Sequence, residues 1–181
     1  MIQHIRSLFL ALVAADVAFM RGMIAHHAQA LVMAELAPSH GASPQVALFA
    51  RRIIVSQRDE MDQMERWLQD RGENVPASPA AHAGTHAAGA DHSTHAMPGM
   101  LSAGQLAALD GTRGAEFDRL FLASMIQHHE GALVMVQALF DAPGSGQEPE
   151  LFGFASGVDA DQRAEIARMR EMLRTPNPST R

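Results

Sequence analysis

Apolar residues recur every three or four positions through most of the chain, which is the spacing of helices with one buried face. The clearest case runs from Pro44 to about Arg71. Its apolar positions are Val46, Phe49, Ile53, Met61, Met64 and Leu68. Ser43 is suited to cap this segment, and Gly72 is suited to end it. The pattern therefore predicts a long amphipathic helix between Ser43 and Gly72.

The same spacing predicts three more long helices and a short one. The long helices cover about 16–36, 115–140 and 149–174, and the short one precedes Gly111. Asp16 is the predicted N-cap of the first helix. Ser102 and Gln105 have the spacing of a capping box at the start of the short helix. Gly153 and Gly157 are expected to interrupt the last helix near its start.

The polar and apolar pattern occurs twice. Residues 19–33 read FMRGMIAHHAQALVM, and residues 121–135 read FLASMIQHHEGALVM, with a constant offset of 102 (121 − 19). A second match, with an offset of 105 (154 − 49), pairs Phe49, Gln57, Arg58, Glu60, Met64 and Leu68 with Phe154, Gln162, Arg163, Glu165, Met169 and Leu173. Each half is therefore a helical hairpin. Because one hairpin cannot cover its own apolar face, we predict an all-α fold in which the two hairpins pack as a four-helix bundle.

These boundaries divide the chain into four parts. Residues 1–15 are a candidate signal or leader segment, because a short apolar run precedes small residues and Asp16; the alternative is that they only begin the first helix. Residues 16–72 form the first hairpin and residues 102–175 the second, packed together as one domain. Between them, residues 73–101 are rich in His, Met, Gly and Ala and are predicted to be a flexible linker.

The repeated segments carry an adjacent histidine pair bracketed by methionines. Thioether and imidazole are the side chains that soft, late transition metals prefer, and copper is the first candidate. The candidate ligands are Met23, His26, His27, Met33, Glu60 and Met64 in the first half, and Met125, His128, His129, Met135, Glu165 and Met169 in the second. Two adjacent histidines cannot both face the centre of a bundle, so one of each pair is expected to be structural.

The linker adds a second candidate for metal binding. His82, His86, His92, His95, Met97 and Met100 lie within nineteen residues of it. Histidines in a flexible segment are a compositional signal for metal capture. The alternative is a disordered connector with no metal role.

Composition narrows the classes of function. The 181 residues include 12 Met and no Cys, and the formal charge is −6. The missing cysteines exclude disulfides and thiolate sites, and the negative charge gives no support to a nucleic-acid partner. Outside the first residues, no segment has the ~20 apolar residues of a membrane span. Because Glu60 and Glu165 are not followed by a histidine three residues on, the paired motif of di-iron enzymes is missing. We therefore expect no enzyme.

Two other readings compete with copper binding. Methionines at helical spacing are often plain core residues, so the bundle could be a structural or interaction module. A ferritin-like iron oxidase is a third reading, which the missing Glu-x-x-His motifs disfavour.

Two motifs of the second half resemble the bacterial domain-of-unknown-function family 305. They are Phe117-Asp118-x-x-Phe121-Leu122-x-x-Met125-Ile126-x-His128-His129-x-x-Ala132 and, after it, Gln162-x-x-Glu165-Ile166-x-x-Met169. The resemblance covers nearly all of residues 16–174. It implies a ferritin-like helical bundle, and the family includes exported copper-binding proteins of the CopM type. It also implies that the Met and His of both repeats, with Met64 and Met169, bind copper, and that the protein works in the periplasm or outside the cell.

The sequence thus predicts a non-enzymatic copper-binding protein that sequesters or carries Cu(I), and also Cu(II) or Ag(I). Methionines are the soft donors and the histidines the borderline donors. Glu60 and Glu165 orient histidines or complete a Cu(II) site. A partner protein that receives copper is part of this hypothesis, with roles in metal homeostasis and copper resistance. The oligomeric state is left open.

Overall fold

The structure, a computed structural model, describes residues 2–76 and 97–175. These residues form α1 (Ile2–Glu35), α2 (Pro44–Asp70), α3 (Ala103–Asp110), α4 (Gly114–Asp141) and α5 (Pro149–Arg174), and no strand occurs among them. The long helix α1 packs against both α2 and α4, and α4 packs against α5. The prediction of an all-α bundle made from two hairpins is confirmed, with the short α3 leading into the second hairpin.

The predicted caps account for most of the helix ends. Ser43 accepts a hydrogen bond from the backbone N–H of Val46 at the start of α2, and Ser102 and Gln105 form a complete capping box on α3. The expected interruption by Gly153 and Gly157 is wrong, because α5 is continuous from Pro149 to Arg174. Its opposite face buries Leu151, Ala155 and Val158, and tertiary packing of that face outweighs the low helix propensity of glycine.

The predicted start of α1 at Asp16 is also wrong. The helix begins at Ile2, and residues 2–15 contain neither Pro nor Gly to stop it. Asp16 has a different role: its carboxylate accepts a hydrogen bond from the backbone N–H of Gly146, at 2.8 Å. The side chain thereby ties α1 to the connection between α4 and α5. Cleavage of a leader at residues 1–15 stays a prediction.

The apolar interior consists of two clusters. The first cluster contains Met20, Met23, Met61, Met64, Trp67, Leu68, Val136, Leu151 and Val158, among others. The second cluster contains Met33, Phe49, Ile53, Phe117, Phe121, Met125, Ile166, Met169 and Met172, among others. Each cluster draws residues from all four long helices. The two hairpins therefore share one interior and fold as one domain.

A layer of polar side chains lies between the clusters. On α2 the second cluster ends at Ile53 and the first begins at Met61, and on α5 the first ends at Val158 and the second begins at Ile166. We call the residues of this level the polar layer: His26, His27, Gln57, Glu60, His128, His129, Gln162 and Glu165. Each of them except Glu165 is buried. Among the residues that the structure describes, no helix is long and apolar enough to cross a membrane.

Candidate metal centre

Two histidine–glutamate pairs form the outer parts of the polar layer. His27 on α1 donates from Nε2 to Glu60 on α2 at 2.5 Å, and His129 on α4 donates to Glu165 on α5 at 2.6 Å. Both rings are fully buried, whereas the carboxylates keep 11% and 18% of their side-chain surface exposed. The duplication in the sequence is therefore a duplication of a buried His–Glu pair.

His26 and His128 meet between these pairs, where α1 packs against α4. Their ring centroids are 3.8 Å apart. The Nε2 of His26 hydrogen-bonds to the carbonyl oxygen of Pro98, and the Nε2 of His128 hydrogen-bonds to the carbonyl oxygen of His26, both at 3.0 Å. Both histidines of each pair are buried, since all four rings are at most 1% exposed. This is possible because α1 and α4 each pack against two helices, and adjacent residues reach different ones. That one histidine of each pair is structural stays a prediction.

The hydrogen bonds fix the tautomer of each imidazole. A backbone carbonyl can only accept a hydrogen bond, and an ionised carboxylate likewise only accepts. Each of the four rings therefore carries a hydrogen on Nε2, and in the neutral form of the ring Nδ1 keeps a lone pair. All four Nδ1 atoms are buried and have no hydrogen-bond partner. This is the state in which imidazole binds a metal ion.

Burial keeps His26 and His128 neutral. Desolvation, followed by the neighbouring His27, lowers the pKa of His26 to about 4, although the bond to Pro98 opposes the shift. Desolvation and then His26 hold the pKa of His128 well below its ordinary value of 6.5. At neutral pH both rings therefore offer a lone pair and no positive charge.

Each apolar cluster contains candidate methionines from both halves of the sequence. Met23 and Met64 are fully buried in the first cluster, and Met135 from the other half packs against it. Met33 lies instead in the second cluster, with Met125 and Met169. Met33 and Met135 therefore each lie with candidate ligands of the opposite half. The cause is the packing of α1 along α4, which brings the end of each repeat to the start of the other.

The end of the linker is packed against the bundle. We call residues 97–101 the strap. Leu101 exchanges two backbone hydrogen bonds with the side chain of Gln29, at 2.7 and 3.0 Å. The strap fits because α4 has a glycine beneath it: a Cβ on Gly131 would lie 2.0 Å from the oxygen of Pro98. This part of the predicted flexible linker is fixed, while His82, His86, His92 and His95 lie outside the described residues.

The strap also brings a methionine to the bundle surface. A Cβ on Gly22 of α1 would lie 3.8 Å from the sulfur of Met97 and 3.4 Å from Cε of Met135. Both methionines are half-buried. Met97 therefore lies over α1 close to Met135, although the two residues are far apart in the sequence.

An acidic cleft connects the polar layer with solvent. It lies between α2 and α5 and has a volume of about 480 Å³. Four carboxylates and one cation line it, together with apolar residues: Glu60, Asp70, Glu150, Asp161, Arg66, Trp67 and Phe154. Burial, and then Glu60 and Glu165, raise the pKa of Asp161. Gly153 and Gly157 line the same cleft, and their missing side chains leave it open. A cation can therefore reach Glu60 from outside through a region of negative potential.

Oxygen and nitrogen donors alone do not complete a metal site. Within residues 2–76 and 97–175, no three His, Asp or Glu side chains come together in a way that could hold an ion. Glu60 and Glu165 accept hydrogen bonds from Nε2 of His27 and His129. Carboxylates bonded in this way commonly orient a metal-binding histidine and do not bind the ion themselves. A bound ion would thus need methionine sulfur or another donor in addition to imidazole.

Several residues of this region were not among the predicted site residues. Gln57 and Gln162 are each 1% exposed in the polar layer, and Pro98 and Gly131 position the strap beside His26. The glutamines carry a signal in the sequence, because they recur three residues before Glu60 and Glu165. Pro98 carries none, because it binds through its backbone.

The architecture defines a class: a duplicated helical bundle with buried His–Glu pairs and methionine-rich clusters. The family model described as "Domain of unknown function (DUF305)" matches residues 16–173. The chain belongs to this family, as its sequence predicts. No curated protein matches the chain.

Three solved structures illustrate the similarity. A DUF305 fragment from Deinococcus radiodurans is 32% identical, with a TM-score of 0.69 over 88% of this chain and 95% of that one. CopM in the Cu(II)-bound form is 29% identical, with a TM-score of 0.67 over 88% and 95% of the two chains. A DUF305 protein from Streptomyces coelicolor has a TM-score of 0.72 over 88% and 91%, and its 24% identity speaks for the fold alone.

Proposed function

We propose that this chain binds copper as its cargo, mainly Cu(I), and sequesters or carries it without catalysing a reaction. The observation that carries the proposal is the set of four buried imidazoles, each with its Nε2 hydrogen-bonded and its Nδ1 without a hydrogen-bond partner. Metal-binding histidines commonly have their second nitrogen hydrogen-bonded to a carboxylate or a carbonyl in this way.

The donor types support a soft ion. Thioether sulfur selects Cu(I), and imidazole serves Cu(I) and Cu(II). Met23, Met64, Met125 and Met169 are fully buried beside the polar layer. A hard ion such as Mg²⁺ would require several oxygen ligands. The donor set therefore fits Cu(I) or Ag(I) best.

The family supports the same assignment. CopM, at 27–29% identity to this chain, has been solved with Cu(II), with Cu(I) and with silver bound. We extend these three ions to this chain as candidates. The proposal also includes an extracytoplasmic location, periplasmic or secreted, a role in copper resistance, and transfer of copper to a partner protein. The apolar run in residues 8–13 motivates the location. Thioether donors suit it, because they cannot be lost to disulfide formation.

The test is a competition titration of the metal-free protein with Cu(I) against a chromogenic chelator. The variant M64L/M169L removes two thioethers at nearly constant volume. Its matched control is M61L/M172L, which changes two other buried methionines on the same helices, α2 and α5. We expect a loss of Cu(I) affinity of at least tenfold in the first variant and less than threefold in the control.

A second pair of measurements separates the bundle from the linker. Deletion of residues 77–96 removes His82, His86, His92 and His95 and leaves the strap in place. We expect at least one equivalent of Cu(I) to remain bound with unchanged affinity. Loss of all binding in this deletion would assign the metal to the linker, and no binding by the intact protein would leave a structural or interaction module as the function.

A further inference from the structure

Six buried polar side-chain atoms in the described residues have no hydrogen-bond partner. Four are the Nδ1 atoms of the polar-layer histidines, and two are the Oε1 atoms of Gln57 and Gln162. All six belong to the polar layer, and they form three equivalent pairs under the sequence repeat. Random packing faults would not recur at equivalent positions of both repeats. We therefore look for one explanation for the unpaired atoms of the glutamines and of the histidines.

The six atoms also share a chemical character. In a neutral ring with its hydrogen on Nε2, Nδ1 has a lone pair and nothing to donate, and an amide oxygen likewise only accepts. Leaving a buried acceptor unpaired destabilises a fold. Buried atoms that can only accept hydrogen bonds need a partner that is either a cation or a water molecule that donates to them. The polar layer is thus built with an excess of electron-pair donors.

The glutamines lie close to the imidazoles along the bundle. Gln57 is three residues before Glu60 on α2, and Gln162 is three residues before Glu165 on α5, so each is one helical turn, about 4.5 Å along the axis, from a carboxylate that contacts a histidine. Both side chains are 1% exposed. They can therefore act only on something that enters the layer.

We propose that the amide oxygens of Gln57 and Gln162 are ligands of the bound ion and determine its preferred oxidation state. This inference rests on the proposed copper binding and goes beyond it. Methionine sulfur favours Cu(I) and imidazole serves both oxidation states, whereas an oxygen ligand adds affinity for the harder Cu(II). The two glutamines therefore let the same site keep copper when it is oxidised.

The test replaces the oxygens and measures both oxidation states. Q57M/Q162M exchanges the amide oxygen for a thioether of similar length, and Q57L/Q162L removes the donor. The matched control is Q69L, an exposed glutamine of α2. We expect Cu(II) affinity to fall at least tenfold in both double variants. Cu(I) affinity should change less than threefold in Q57L/Q162L and should not fall in Q57M/Q162M, because a thioether is a good Cu(I) ligand. The Cu(II)/Cu(I) potential then rises by about 59 mV for each tenfold difference.

A measurement without metal separates a ligand from a structural residue. If the amide oxygens are unpaired in the metal-free protein, Q57L/Q162L raises its melting temperature, because a buried unsatisfied acceptor is removed. A lower melting temperature, or an equal loss of Cu(I) and Cu(II) affinity, would show that the glutamines support the fold and would overturn the inference. Unchanged Cu(II) affinity would also overturn it.

The two proposals fail in different ways. If the unaltered protein binds Cu(I) and Cu(II) and the glutamine variants bind both equally well, copper binding stands and the ligand role of the glutamines falls. If the unaltered protein binds neither ion, the proposed function and this inference fall together. The electron paramagnetic resonance spectrum of the Cu(II) form gives an independent check, because loss of an oxygen ligand changes its copper hyperfine splitting.

Discussion

The imidazole rings of His26 and His128 lie against each other, with centroids 3.8 Å apart and planes inclined by 38°. They occupy equivalent positions of the repeat and come from helices on opposite hairpins. A proton on either ring would place a positive charge in a buried site beside a second imidazole. Burial lowers the pKa of both rings, and His26 lowers that of His128 further, so the contact requires two neutral rings.

We predict that the metal-free protein loses stability as the pH falls from 7.5 to 5. The pKa of His26 is about 4 in the folded state and 6.5 when the chain is unfolded, so the unfolded state binds more protons between these values. Linkage then lowers the free energy of unfolding by about 2 kcal/mol for His26 alone. His128 contributes in the same direction. Denaturant titrations at pH 7.5, 6 and 5 measure the slope.

The variant H26L/H128L provides the control for this pH dependence. It replaces both rings by apolar side chains, and we expect the slope between pH 7.5 and 5 to flatten. A slope as steep as that of the unaltered protein would assign the acid sensitivity to other groups.

We predict that Gly131→Ala destabilises the fold by about 1–3 kcal/mol, the usual range for overpacking. The new Cβ would lie 2.0 Å from the oxygen of Pro98, so the strap must move away from α4. The matched control is Gly157→Ala in α5, where a Cβ meets nothing within 4 Å. This control should gain about 0.5–1 kcal/mol, because alanine is the better helix former. Urea denaturation measures both, and equal effects would contradict the packing argument.

We predict that Glu60→Gln and Glu165→Gln each weaken copper binding by about 10–100-fold, the usual effect of removing a carboxylate that orients a ligand. An amide can keep contact with the imidazole Nε2 but loses the negative charge that makes Nδ1 a better donor. Glu65→Gln, on α2 and away from the histidines, is the control. Competition titration measures all three variants. If E60Q behaves like E65Q, then the contact between His27 and Glu60 has no part in metal binding.

We predict that Asp16→Ala lowers the free energy of unfolding by about 1–3 kcal/mol, since it leaves a buried backbone N–H without a partner. The bond from Gly146 to Asp16 spans 2.8 Å and joins α1 to the connection between α4 and α5. Asp16→Asn keeps an acceptor oxygen and should recover most of the loss. Thermal and denaturant unfolding distinguish the two variants, and equal losses would contradict the role of the hydrogen bond.

The helices and their pairing could be predicted because they follow from local chemistry. Pro44 after Ser43 and the capping box at Ser102 determine helix starts within a few residues of sequence. The repeat predicts two equivalent hairpins, and each hairpin buries its apolar face by packing against the other. The start of α1 could not be predicted in this way. Aspartate is common at N-caps, but the Asp16 carboxylate binds the backbone N–H of Gly146, which is 130 residues away in the sequence.

The fold brings most of the predicted site residues close together. Which of them pack against each other depends on how the helices pair, and helical spacing alone does not predict that. Helical spacing places Met33 on the stripe of His26, and the structure packs it with Met125 and Met169 because α1 and α4 cross between the hairpins. The bond from His26 to Pro98 uses a backbone carbonyl, which any residue could supply. Such contacts leave no trace in the identity of the residues that make them.

The strap makes the two halves of the molecule unequal. His128 bonds to the backbone of His26, whereas His26 bonds to Pro98 and not to the equivalent carbonyl of His128. The two repeats therefore hold these equivalent histidines with different hydrogen-bond partners. If each half takes an ion, the two ions bind in order, the first at a lower free copper concentration than the second. A repeated bundle made unequal by one short segment would then give a graded response in place of a single threshold.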